Sequence, residues 1–567
     1  MSVQKIPTSE KKVIQSNIGD YQGNVWATFN IDLDSNPGTI KVSRRLSRIL
    51  DADQWDGTAV QALQVHDGNY YMTNTADVWV CSVNSDPTDV SNWTEITTLG
   101  LEDLGLESDS TSYNGLILFS LGTDIMSWNG SSKDDDWWTT IASGTALTAN
   151  KVHTLEVLRT GADTLFITDG NKVRYYNGAA GGTTITLDSL MTANLLIPGL
   201  DKMWCGTYTE IEDNAYVYEI QVGETQVSQA YPVDGRACLS GFFYKNVPFI
   251  ITERGYIQFF NGAGFETIAQ FPWATESKMM EGCRPGLIQD SPTALAIHPK
   301  GCKVSGKYAY IYVNTDDEFL TDTNLSSRAP SGVWVLDLET YSLTHRYSLT
   351  TDTDAYGSHK VDRSGPILIT NTPYTKIMVG GSTDAIEGLW METDTTPQGY
   401  FITTRHESET VTDAFEFFVV KADTPDTGES IEVKYRNTVV PNMPYEVKDV
   451  TWLTSTQFTT SDALTGVQPG YEVEVLSGYR AGHLAHVVSV TGDTTKTVTI
   501  DESIGLLNET SDVSFDYFNL ISDQMTDGEY KRIGASESGT FRQYKVVMTG
   551  DVTVRETISK SNSKHEL

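Results

Sequence analysis

Two histidines, His483 and His486, stand in H-x-x-H spacing and come nearest to a metal motif in this chain. Zinc needs Cys or His ligands that converge on one point. The run YEVEVLSGYRAGHLAHVVSV (471–490) reads as a strand, a Gly-rich loop and a second strand. Strand residues three apart face opposite ways, so the two rings do not share an ion. The segment DLDSNPG (32–38) imitates a calcium loop, with Asp32, Asp34 and Asn36 at alternate positions. Pro37 stands where that loop needs Gly and Ser43 where it needs a bidentate Glu. A strand ending in an Asn-Pro-Gly turn is the better reading. The acidic runs Asp134–Asp136 and Asp316–Glu318 lie beside turns and read as solvated loops. No G-x-S-x-G elbow, phosphate-cradling loop or dinucleotide fingerprint occurs. Paired carboxylates cut glycans by acid–base chemistry, yet 75 Asp and Glu residues offer too many pairs to choose from. The expectation is no enzyme, no cofactor and no metal. Trp137 and Trp138 are the best candidates for stacking on a sugar; the plainer alternative puts one ring in a core and its neighbour at a subunit contact.

Composition narrows the classes further. The 567 residues carry 40 Lys and Arg against 75 Asp and Glu, a net charge of −35. Such a field repels nucleic acid and anionic lipid, which argues against DNA coating or a membrane-surface role. Aromatics make up 10% of the chain, too many for a disordered polymer. Five scattered cysteines (Cys81, Cys205, Cys238, Cys283, Cys302) read as reduced core residues of a protein made in a cytoplasm. No apolar run is long enough for a membrane helix, so no membrane insertion is expected.

The elements that must position any site are short strands. LFSLGTDIMSWNG (118–130), FITDGNKVRYYNG (166–178) and IITERGYIQFFNG (250–262) share one shape. Each is an apolar strand, a polar turn, a second strand ending on an aromatic, then Asn-Gly, a turn pair that tolerates positive φ. Taking the aromatic as a marker gives Trp79, Trp128, Tyr176, Tyr218, Phe260, Trp334 and Trp390. A period of about 40–50 residues is that of β-propeller blades, which bury their faces on one another around an axis. The expected fold is all-β: a propeller of about seven irregular blades over 59–400, then a β-sandwich with an inserted small β-barrel. The run 273–292 reads as an insertion in the ring.

The sandwich is expected from 401–445 plus 520–567 and the barrel from 446–519. In SIEVKYRN, Ile431, Val433 and Tyr435 alternate with Glu432, Lys434 and Arg436, the pattern of a half-buried antiparallel strand. Residues 1–58 hold seven basic and seven acidic side chains, so the remainder carries the whole negative charge. Lys41, Arg44, Arg45 and Arg48 in this neutral arm are candidates for docking on an acidic partner; the plainer alternative is a strand with solvated arginines.

A neutral arm, an acidic repeat region, strands such as YFITTRHE (400–407) and IEVKYRN (431–437), a closing FRQYKVVMTG (541–550) and the opening NIDLDSNPGTIKVSRRL together resemble virion tail proteins of short-tailed bacteriophages. The type resembled is the tail nozzle, or packaged-DNA-stabilising protein. That resemblance implies a homo-oligomeric ring, a hexamer, located in the virion tail and assembled in the host cytoplasm. Its partners would be portal, adaptor and other tail proteins. Its acidic channel would retain and pass the DNA genome without specific binding. The alternative function is a glycan-binding or glycan-cleaving propeller acting as a receptor-binding protein.

Overall fold

Local turn chemistry builds the first two-thirds of the chain. Asp67-Gly68, Asn114-Gly115 and Lys245-Asn246 each place two consecutive residues at positive φ. Two such residues between antiparallel strands make the tight hairpin whose twist matches that of its strands. The Asn-Gly pairs singled out from the repeat work differently. Gly130, Gly178 and Gly262 have positive φ, whereas the preceding asparagines do not. Asn129 and Asn261 instead accept backbone N–H groups with their side-chain oxygens, closing the loop locally.

In the computed structural model the described residues are 2–7, 25–33, 39–49, 60–74, 77–96, 109–149, 151–178, 182–212, 214–271, 297–314, 331–350, 363–370, 376–383, 386–393, 398–403, 406–407, 414–437, 445–478, 480–522, 529–532 and 541–562. The insertion 273–292, the acidic run 316–318 and Asp34–Pro37 lie outside them. Among the described residues no helix is long and apolar enough to cross a membrane.

The described residues are all-β but for a few, organised as ten small sheets with almost entirely antiparallel pairing. Six are four-stranded meanders, running in order from strand Ala62–His66 to strand Leu343–Tyr347. A seventh has five strands, because Leu46–Arg48 and Leu349–Thr350 join the strands Arg363–Ile369, Ile377–Thr383 and Ile386–Glu392. All seven aromatic markers lie on the third meander strand of a sheet.

The expected propeller is corrected at this point. Among the described residues the strands form separate sheets, with no hydrogen-bonded ladder from one meander to the next. The physical reason is that the repeat reports hairpins and turns, which are local, and not the arrangement of units. What links the sheets is side-chain packing. Leu158, Phe166 and Tyr175 share a core with Met203, Cys205 and Tyr218 of the following sheet. Val60, Leu63 and Met72 share one with Met378, Leu389 and Met391.

The expected sandwich with an inserted small barrel is corrected in its make-up, because its two sheets also take strands from residues 2–42. Two six-stranded sheets face each other across a core that includes Ile40, Phe418, Val433, Tyr544 and Val546. The described amino-terminal strands are not an arm beside these sheets. Strand Val25–Phe29 pairs with Gln398–Thr403, while Ile40–Val42 and Ser2–Pro7 pair with Thr553–Asn562. Six strands between Tyr445 and Asp516 pair in a closed cycle around Trp452, Phe458 and Phe515. Burying each such phenylalanine contributes about 1.5–3 kcal/mol. Gly505 lies so close to the Trp452 ring that a β-carbon there would overlap it. This closed unit is no separate appendage, because its outer wall is fused to the neighbouring sheet by buried charges.

Candidate functional site

The closed unit enters the chain between strands Ser430–Arg436 and Asn519–Ser522, which are themselves paired. Lys434 sits directly opposite Lys545 of strand Phe541–Thr549. Like charges so placed destabilise a sheet unless an anion lies between them. Glu472, from strand Glu472–Val475 of the closed unit, supplies it. One carboxylate oxygen accepts from Lys434 Nζ, and the other lies 2.6 Å from Lys545 Nζ. The exposures of Lys434, Glu472 and Lys545 are 0%, 1% and 1%.

The cluster extends along the seam. Lys545 Nζ also lies 3.8 Å from the centre of the Tyr400 ring and 3.9 Å from Glu474. Arg436 donates to Gln543 through Nε and Nη2, approaches Asp516 to 3.8 Å and stacks over Phe518. Three buried cations thus meet three buried carboxylates. Burial by itself would raise the Glu472 carboxyl, but the Lys434 and Lys545 ammoniums prevail and hold it well below the usual range. Burial pulls Arg436 down to about 10 against the opposing pull of Asp516 and Glu472. Beside the charges, Phe29, Tyr400, Ile402 and Val547 pack with Leu484 and Phe518.

The alternation in SIEVKYRN was read as one core face and one solvated face. The core face is present, but Lys434 and Arg436 are buried because the closed unit covers the second face. Glu472 and Lys545 went unnoticed, since they stand 38 and 111 residues from Lys434 in sequence. The available signal was the pair of strands IEVKYRN and FRQYKVV, each with a basic residue on its polar face.

A second charged cluster lies among the meanders. Lys300 Nζ donates to Leu155 O at 2.7 Å and Glu156 Oε1 at 2.5 Å, and stands 3.6 Å from Asp109 Oδ2. Asp109 also accepts the Leu155 and Ser110 backbone N–H groups. Burial raises the Asp109 carboxyl despite Lys300, while Lys300 itself is raised by Asp109 and Glu156 against burial. Nearby, His66 Nδ1 lies 3.0 Å from Ser112 Oγ, and Arg159 donates to Ser112 O, bridging the first strands of three sheets.

The residues singled out from sequence are scattered. Trp137 and Trp138 are only 4% and 1% exposed. They occupy a core with Tyr113 and Leu165, and Trp138 Nε1 donates to Thr145 O. The sugar-stacking expectation is therefore corrected: neither ring faces solvent. Lys41 lies on a paired strand, and Arg48 sits opposite Trp390 with its side chain against Gly388. Arg45 binds Thr393 through its backbone carbonyl. Arg44 is half exposed, 3.9 Å from Glu392. Asp32 pairs with Arg346. His486 Nδ1 lies 3.1 Å from Asp501, and His483 is buried. Among the described residues no three His, Cys, Asp or Glu side chains are grouped to hold a metal ion. Burial pushes the Cys81 thiol to about 11 and those of Cys238 and Cys302 to about 12, which leaves them inert near neutrality.

No family model and no curated protein matches the sequence. Among solved structures, the chain is similar to a streptogramin B lyase, at 10% identity and a TM-score of 0.40, over 62% of this chain and 98% of that one. It is similar to the Pan2 WD40 domain of Neurospora crassa at 8% identity and a TM-score of 0.37, over 62% and 97%. The computationally designed Ika8 protein gives 10%, 0.34, 61% and 99%. Likenesses this distant carry no function across. The expected membership among phage tail nozzles is corrected, because the described strands form separate sheets and no family model matches. Among the described residues strand pairing closes no propeller ring, so neither the DNA-conducting nozzle nor the glycan propeller has a structural basis.

Proposed function

We propose that this protein is a non-catalytic scaffold that presents its closed six-stranded unit, residues 445–516, in one fixed orientation to a partner. The observation that carries this reading is Glu472, buried between Lys434 and Lys545 at the seam. A unit joined by two chain crossings would otherwise pivot about them, since relative motion is the default at small polar interfaces. Buried ion pairs add little net stability, but they are strongly directional and punish misalignment. Such a seam suits a protein whose product is geometry.

The test is a distance distribution between spin labels at the exposed Thr427 and Thr495, measured by pulsed electron resonance with Cys283 replaced by Ser. One narrow distance is expected, broadening in Glu472→Gln. A broad distribution in the otherwise unaltered protein would overturn the reading.

A further inference from the structure

We propose that the loop 504–508 of the closed unit is a docking surface for a basic protein segment, which sets apolar side chains on Leu506 and Leu507 and Lys or Arg beside Glu502 and Glu509. This deepens the scaffold reading, on which it rests, by stating the chemistry of the partner. The loop is held from beneath. Ile504 is buried in the core of the closed unit, and Gly505 lies against the Trp452 ring. The backbone N–H groups of Ile504 and Gly505 both donate to Ser455 O at 2.8 Å, and that of Asn508 donates to Trp452 O at 2.9 Å. The Trp452 N–H in turn donates to Glu509 O. Between these anchors Leu506 and Leu507 are 46% and 61% exposed. Leu453, next to Trp452 on the strand beneath, is 41% exposed. An apolar surface fixed before binding loses little freedom when a partner covers it.

Charge selects among the occupants such a surface could take. Residues 445–516 hold eleven Asp and Glu against three Lys and Arg, and no Lys or Arg occurs from 497 to 530. Asp501, Glu502 and Glu509 flank the two leucines and are all exposed. Asp501 is engaged by the backbone N–H and Nδ1 of His486. Partial burial, Asp501 and Glu432 raise the Glu502 carboxyl against the pull of Lys434 and His486, so a cation brought beside it is favoured. Two copies of the chain meeting here would set carboxylates against carboxylates, and anionic lipid or nucleic acid would be repelled in the same way. A segment with Lys or Arg on either side of large apolar residues matches both features. It offers apolar contact at the centre and opposite charge at the rim.

The experiment pans a displayed library of random dodecapeptides on the full-length protein and measures the strongest binder by fluorescence anisotropy. Selected peptides are expected to combine large apolar residues with an excess of Lys and Arg over Asp and Glu. The double variant Leu506→Ser, Leu507→Ser is expected to bind the strongest of them about tenfold less tightly, or worse. Glu502→Gln with Glu509→Gln is expected to weaken it severalfold at low salt and far less at about 1 M salt, where charge is screened. Leu200→Ser, at a leucine 62% exposed outside the closed unit, should leave binding unchanged. Selected peptides without excess positive charge, or binding indifferent to the leucine pair, would overturn the proposal. So would self-association that the leucine variant abolishes, which would assign the surface to a second copy. A narrow spin-label distance without such a peptide sinks this proposal alone. A broad one with the peptide still bound sinks the scaffold reading alone.

Discussion

The two charged clusters of this molecule differ in how completely they are closed. At the seam of the closed unit, two lysines share one glutamate, and all three side chains are sealed from water. Among the meanders, Lys300 takes the nearby acceptors, with solvent still reaching both Lys300 and Glu156. A balanced, dry cluster fixes two surfaces against each other. A partly wetted one holds its strands less tightly.

Removing the shared anion should break the first cluster most severely. Glu472→Ala leaves Lys434 and Lys545 facing each other with only Glu432, 3.3 Å from Lys434, and Glu474, 3.9 Å from Lys545, beside them, and a cost of about 3–5 kcal/mol is expected. Urea denaturation followed by fluorescence of Trp452, buried in the closed unit, checks it; a loss below about 1 kcal/mol would mean that water enters the seam. The matching lesion in the second cluster, Lys300→Ala, should cost less, about 1–3 kcal/mol. Asp109 keeps two backbone donors after that change, and solvent already reaches Glu156.

Acid should separate the clusters by sign. The folded-state pKa of Glu472 is depressed, so its stabilisation is present above the unfolded value of about 4.3 and lost as pH falls toward the folded one. The folded-state pKa of Asp109 is raised, so the protein gains stability from it as pH falls through that value toward about 3.9. Relative to Glu472→Gln, the unaltered protein should therefore lose its advantage below about pH 4. Relative to Asp109→Asn it should gain as pH falls toward the same region. Melting curves at pH 3, 4, 5 and 7 read both differences. The smallest effect is expected at the partly exposed Arg159–Asp163 pair, where Arg159→Ala should cost under about 1 kcal/mol.

The contrast also shows what a sequence reveals. Aromatic markers such as Trp128 and Tyr176 found the third strands because a hairpin and its turn lie within a dozen residues of each other. The arrangement of the sheets escaped, since no local pattern states which sheet packs on which. The faces of strand Ser430–Arg436 were legible, yet Lys434 was assigned to water because the element covering it arrives only with Glu472. Trp137 and Trp138 looked available because an acidic run precedes them; a single helical turn folds both inward. The amino-terminal strands likewise pair with residues some 350 to 550 positions away, and alternation alone names no such partner.

The most direct test of the seam is a double-mutant cycle on Lys545 and Glu472, with Lys545→Met, Glu472→Gln and their combination compared by urea denaturation. Coupling toward the upper end of the 0.5–3 kcal/mol range, about 2–3 kcal/mol, is expected for groups this close and this dry. A coupling below about 0.5 kcal/mol would contradict the account, because Glu472 would then not be what holds the closed unit to its sheet.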